Sequence, residues 1–76
     1  MLEADVEIDT SGLTCPLPIL RMKKALNQLE SGQVVKVFTT DPHAEGDFQD
    51  FCRQTQNILL SQEQTPTGMF HYIKRR

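Results

Sequence analysis

With 76 residues, 38% of them hydrophobic and 24% charged, the chain has room for one domain and not for two, and a core of this size only just offsets chain entropy. A formal net charge of −2 does not suit a freestanding nucleic-acid binder, whose affinity comes from many Lys and Arg set against phosphates. The longest apolar runs are three or four residues and the start, MLEADVEIDT, is acidic, so neither a membrane span nor a basic leader is expected and the protein is placed in the cytoplasm.

The elements read in order. Residues 4 to 9, ADVEID, alternate with Val6 and Ile8 on one side, as a strand with one buried face does. After the break at TSGLT, residues Ile19, Met22, Leu26 and Leu29 form the apolar stripe of an amphipathic helix, with Gly32 expected as its C-terminal cap. QVVKVFTT, residues 33 to 40, is a β-branched run apolar on both faces and predicts a central strand. Ala44, Phe48, Phe51, Cys52 and Thr55 mark a second helix starting near Asp41 and Pro42. Residues 57 to 64 and 69 to 75 flank TPTG as a closing hairpin. The order βαβαββ predicts an α/β two-layer sandwich: a four-stranded mixed sheet with two helices packed on one face.

The chemistry gathers at LTCPLP, residues 13 to 18. Pro16 suits the first position of a helix, where its missing N–H costs nothing, which makes Cys15 the cap, with Thr14 competing for that place. Either way the sulfur is expected at the positive end of the helix dipole near the N–H groups of Leu17 and Ile19, where an anionic sulfur is favoured and thiolate becomes a major species. Position 18 is Pro rather than a second Cys, so a resolving thiol is missing and thiol oxidoreductase chemistry is disfavoured. His43 and His71 are the two histidines and neither has an obvious Asn or Asp orienting partner in the sequence, which argues against a hydrolytic cysteine. With Cys15 and Cys52 spaced 37 residues apart, no zinc site or disulfide framework is suggested. One stiffly held thiol suits sulfur that is accepted, carried and passed on.

The stretch SGLTCPLPILRMKKAL resembles the signature of the TusA (SirA-like) family of sulfur carrier proteins, with Cys-Pro-x-Pro at the start of the first helix; LESGQVVKVFTTDP, FQDFC and FHYIKRR extend the likeness through nearly the whole chain. The resemblance implies that Cys15 takes sulfane sulfur as a persulfide from a cysteine desulfurase and relays it to an acceptor protein, toward tRNA thiolation, molybdenum cofactor maturation or other sulfur metabolism. It casts Pro16 and Pro18 as a rigid frame, Gly12 as the turn that presents the thiol, Asp41 with Pro42 as a turn near it, and Lys23 and Lys24 as basic residues that meet the partner. It implies a carrier rather than a stand-alone enzyme, with no cofactor beyond the transient persulfide, no metal, no stable nucleic-acid binding, no membrane association and a monomeric state. The contrasting reading is a regulatory or protein-binding module of the same fold without sulfur-transfer chemistry.

Other residues carry plainer expectations. Leu17, Leu20, Arg21 and Lys24 form a second helical stripe that could dock a partner. Cys52 belongs to an apolar stripe and is expected in the core. Asp41 is expected to cap the second helix, His43 to be solvated, His71 to lie at the surface, and Lys74, Arg75 and Arg76 to form a solvated tail.

Overall fold

The structure, a computed structural model, describes residues 3–76. Its elements run β1 (Val6–Thr10), α1 (Leu17–Asn27), β2 (Val34–Thr39), α2 (Ala44–Thr55), β3 (Ile58–Gln64) and β4 (Met69–Lys74), the expected βαβαββ order. The strands form one sheet in the order β1-β2-β4-β3. β1 pairs with β2 in parallel, and β4 runs antiparallel to both β2 and β3. A parallel pair needs a crossover, and α1 supplies it between β1 and β2. α2 leads from β2 past β4 to the far edge, where a tight turn returns the chain. There Thr65 and Gly68 close on each other, the Thr65 N–H donating to the Gly68 carbonyl at 2.8 Å. A Cβ at Gly68 would stand 2.2 Å from the Thr39 carbonyl oxygen, so no side chain fits there.

Both helices lie on one face of the sheet and share one core. Met22 and Leu26 from α1 and Leu29 just after it meet Ala44, Phe48 and Cys52 from α2 over Val35, Val37 and Ile73 of the central strands. Val6, Ile8, Ile19 and Leu59 pack around this cluster. Full burial of each large apolar side chain contributes roughly 1.5–3 kcal/mol, which is how so short a chain offsets its chain entropy. No helix among the described residues is long and apolar enough to cross a membrane.

Four expectations are corrected. α1 starts one residue later than expected: Pro16 is the cap and Leu17 the first helical residue. α1 also ends at Asn27, before Gly32; Leu29 is buried from the turn that follows, and Gly32, at φ +90°, serves the approach to β2 by donating to the Arg75 carbonyl at 2.8 Å. The C-terminal residues are not a free tail. Lys74 ends β4 opposite Val34 and Ile58, the Arg75 N–H donates to the Gln33 carbonyl at 2.8 Å and its guanidinium to the Leu29 carbonyl, and the Arg76 N–H reaches Asn57 Oδ1 at 3.0 Å.

The fourth correction is His71, which is fully buried on the helix side of β4. Because alternate residues of a strand face opposite sides, His71 and Ile73 point to the helices while Phe70 and Tyr72 take the other face, where Phe70 stacks on Phe38 with ring centroids 4.9 Å apart. The buried imidazole is satisfied on both nitrogens. Gln62 donates to Nδ1 at 3.0 Å, so Nε2 carries the proton toward Thr39 Oγ1 at 2.8 Å. The ring also packs on Phe48 at 4.3 Å, and burial lowers its pKa to about 4, keeping it neutral.

Candidate functional site

Cys15 stands exposed in the loop between β1 and α1. The loop leaves the sheet through a chain of short-range bonds that the sequence itself supplies. Asp9 Oδ1 accepts the Ser11 N–H at 2.9 Å, and Gly12, at φ +77°, turns the backbone in a left-handed conformation that a side chain would resist. Thr40 Oγ1 accepts the Gly12 N–H at 2.9 Å, which ties this turn to the end of β2. The Cys15–Pro16 bond is cis, and Pro18, fully within the first turn of α1, is buried beneath it. Gly12 and Pro16 thus lie on the loop that carries Cys15, and Pro18 on the first turn of α1.

Asp41 holds the cysteine from the opposite loop. Its Oδ2 accepts the Cys15 N–H at 2.7 Å, and its Oδ1 accepts the His43 N–H at 3.0 Å. The residue therefore spans two loops instead of acting as the simple cap expected of it: His43 takes the cap position of α2. These two backbone donors lower the Asp41 pKa, with His43 the larger cause. His43 itself is exposed, as expected, with Nδ1 3.1 Å from Asp41 Oδ1.

The electrostatics of the thiol reverse the expectation of a favoured thiolate. The Cys15 pKa is raised, first by the neighbouring Asp47 side chain, then through desolvation and the negative charges of Asp47 and Asp41. Of the two N–H groups expected to face the sulfur, that of Leu17 is spent on the Thr14 carbonyl at 2.8 Å. With the helix starting later and two carboxylates close by, neutral S–H is the favoured form. Asp47 was not among the expected site residues. In sequence it reads only as an acidic residue in the first turn of α2, favourable to that helix dipole wherever its side chain points.

Beside the thiol lies an open cavity of about 260 Å³ between the helices, lined by Pro16, Ile19, Lys23, Asp47, Asp50 and Phe51 together with Cys15. Lys23 reaches over the Phe51 ring at 5.6 Å. Lys24 and Arg21 are not with it; they line a groove on the other side of α1 against Val6, Ile8 and Thr10. The expected partner-facing residues thus divide, Lys23 beside the cysteine and Arg21 with Lys24 on the β1 side. Leu17 and Leu20 of α1 are 44% and 50% exposed. Cys52 is buried among the core residues, as expected.

Comparison with known proteins gives this arrangement a family. The family model described as sulfurtransferase TusA matches residues 6–75. A sulfur carrier protein TusA from Allochromatium vinosum is 47% identical over 76 residues, covering 100% of this chain and 99% of its own. A second sulfur carrier protein TusA, from Pseudomonas entomophila, is 32% identical over 72 residues, 95% of this chain and 90% of its own. The crystal structure of a SirA-like protein from Desulfitobacterium hafniense superposes with a TM-score of 0.79 at 28% identity, covering 91% of this chain and 95% of that one. The chain belongs to the TusA family of sulfur carrier proteins.

Proposed function

We propose that Cys15 is the carrying residue: it accepts sulfane sulfur as a persulfide from a cysteine desulfurase and hands it to an acceptor protein, in the cytoplasm and from a monomer. The observation that supports this most strongly is the contrast in access, since Cys15 is exposed on a braced loop while the other thiol, Cys52, is buried. The transfer is an exchange without net oxidation. The Cys15 sulfur, once deprotonated, attacks the outer sulfur of the donor persulfide; the Cys15 Sγ–S bond forms as the donor S–S bond breaks, and the donor sulfur leaves with the electron pair and takes up a proton. The acceptor thiol repeats the step on the carrier. tRNA thiolation and molybdenum cofactor maturation are the destinations that the family likeness suggests for the sulfur.

The braced loop matters because the two reacting sulfurs must meet in line, and a fixed thiol loses less freedom on docking. In this reading the exposed Leu17 and Leu20 offer apolar contact to the partner, and Lys23 beside the cysteine, with Arg21 and Lys24 on the β1 side of α1, attracts an acidic partner surface. Incubation with a cysteine desulfurase and free cysteine is expected to add the mass of one sulfur atom to the wild type and none to Cys15→Ser. Equal gain in both proteins would refute the assignment.

A further inference from the structure

The two edges of the sheet differ. β3 is interrupted by a bulge between Leu59 and Ser61, a device that blunts an edge against further pairing. β1 pairs with β2 without a break from Val6 to Thr10 and carries no such device. The Asp5 N–H donates to the Val34 carbonyl at 2.8 Å. Alternate residues of a strand aim their backbone groups to opposite sides, so the N–H and C=O groups of Val6 and Ile8 face the open edge. On the helix side of that edge a groove of about 430 Å³ runs between β1 and α1, where Val6, Ile8 and Ala25 supply apolar walls and Arg21 and Lys24 the cations. Both cations are exposed, and neither pairs with a carboxylate among the described residues. Asp9 borders the groove, but its Oδ1 is taken up by the Ser11 N–H. Glu7 is engaged elsewhere, with Lys36 at 3.3 Å.

We propose that the β1 edge binds an extended segment of a partner protein, added to the sheet as a fifth strand with acidic side chains at alternate positions facing Arg21 and Lys24. The proposal specifies what meets these two cations and does not depend on Cys15 carrying sulfur. Main-chain bonds to Val6 and Ile8 supply affinity that any extended chain can gain, and the side-chain face supplies the selectivity. Toward the helices the added strand meets two unpaired cations beside apolar Val6 and Ile8. On the other face it meets Glu7 and Asp9. Opposite charges on neighbouring strands attract and like charges repel, so a segment acidic toward α1 and neutral or basic on its other face is favoured over one acidic throughout. A second copy of this chain is the poorer occupant. Antiparallel pairing of β1 with another β1 sets Glu7 and Asp9 against their counterparts and brings no carboxylate to Arg21 or Lys24.

The test is titration with an acetylated and amidated octapeptide of alternating Glu and Thr, followed by amide NMR and hydrogen exchange. Binding is expected to slow exchange at the Val6 and Ile8 amides, because those N–H groups become paired. A peptide of the same composition with its Glu residues grouped, so that they fall on both faces, is expected to bind more weakly. Arg21→Glu combined with Lys24→Glu is expected to weaken binding about tenfold or more. Arg53→Glu, a charge reversal on the exposed side of α2, and Cys15→Ser are expected to bind as wild type. No binding, binding without slowed exchange at Val6 and Ile8, equal affinity for the two peptides, or undiminished affinity of the double variant would overturn the proposal. So would a loss in Arg53→Glu equal to that of the double variant, which marks general charge attraction, or a loss in Cys15→Ser. Slowing of the same two amides with rising protein concentration alone would also overturn it, by making a second copy the occupant.

Discussion

Cys52 lies on α2 within the core that Phe48, Met22 and Ile73 also occupy, whereas Cys15 stands exposed on the loop between β1 and α1, beside a cavity that Asp47 also lines. Both thiols have raised pKa values. Burial alone lifts Cys52, to about 11, while the neighbouring Asp47 side chain leads at Cys15. The difference is in what can undo the effect. Desolvation is fixed by the packing and persists as long as the protein is folded; a neighbouring carboxylate can be neutralised, screened or engaged by a partner. The same direction of shift therefore makes one cysteine inert and leaves the other conditionally reactive.

If the comparison holds, damage around Cys52 registers in stability and damage around Cys15 in chemistry. The largest stability loss is expected from Phe48→Ala, which empties space beside Cys52 and His71 and costs about 3–5 kcal/mol, measured by urea unfolding. The folded fraction of that variant should still alkylate Cys15 at the wild-type rate. Next comes pH. His71 has a folded pKa of about 4 against about 6.5 in the unfolded chain, so the unfolded state binds the extra proton as pH falls between those values. The stability tied to neutral His71 is complete above pH 6.5 and is lost toward pH 4, by up to about 3 kcal/mol. Urea midpoints at pH 7 and pH 4.5 check this, and His71→Gln should flatten the difference.

Much of this was legible in the chain. The stripes Ile19-Met22-Leu26 and Ala44-Phe48-Cys52 are strict helical repeats with one solution each, and both helices formed where those repeats lie. The position of Cys15 just before α1 was legible too, whereas the bonds that hold its loop come from Thr40 and Asp41, 28 and 26 residues along the chain from the groups they bind. His71 was misplaced because β4 is apolar on both faces: the two-residue period of a central strand does not say which set meets the helices. Only the packing of β4 between β2 and β3, with Gln62 and Thr39 ready to satisfy the ring, settles it. Asp47 was missed for a related reason. Its proximity to Cys15 crosses from α2 to the loop before α1, and a stretch of α2 read alone shows only a charge in a first turn.

Smaller effects sharpen the contrast. Cys52→Ala should cost about 1 kcal/mol through a minor cavity and leave sulfur loading unchanged; impaired loading would mean that Cys52 takes part in the chemistry. Asp41→Ala removes the acceptor of the Cys15 and His43 N–H groups and the more weakly acting of the two charges near the thiol. It should lower the urea midpoint slightly and the pH midpoint of Cys15 alkylation by less than Asp47→Asn does. A larger shift from Asp41 than from Asp47 would reverse their assigned order.

The most direct measurement is to locate the transferred sulfur. After loading by a cysteine desulfurase, persulfides are capped with iodoacetamide, the protein is digested, and the peptides bearing Cys15 and Cys52 are compared by mass. The extra sulfur is expected on the Cys15 peptide and absent from the Cys52 peptide. Sulfur on Cys52, or shared equally between the two, would contradict the account.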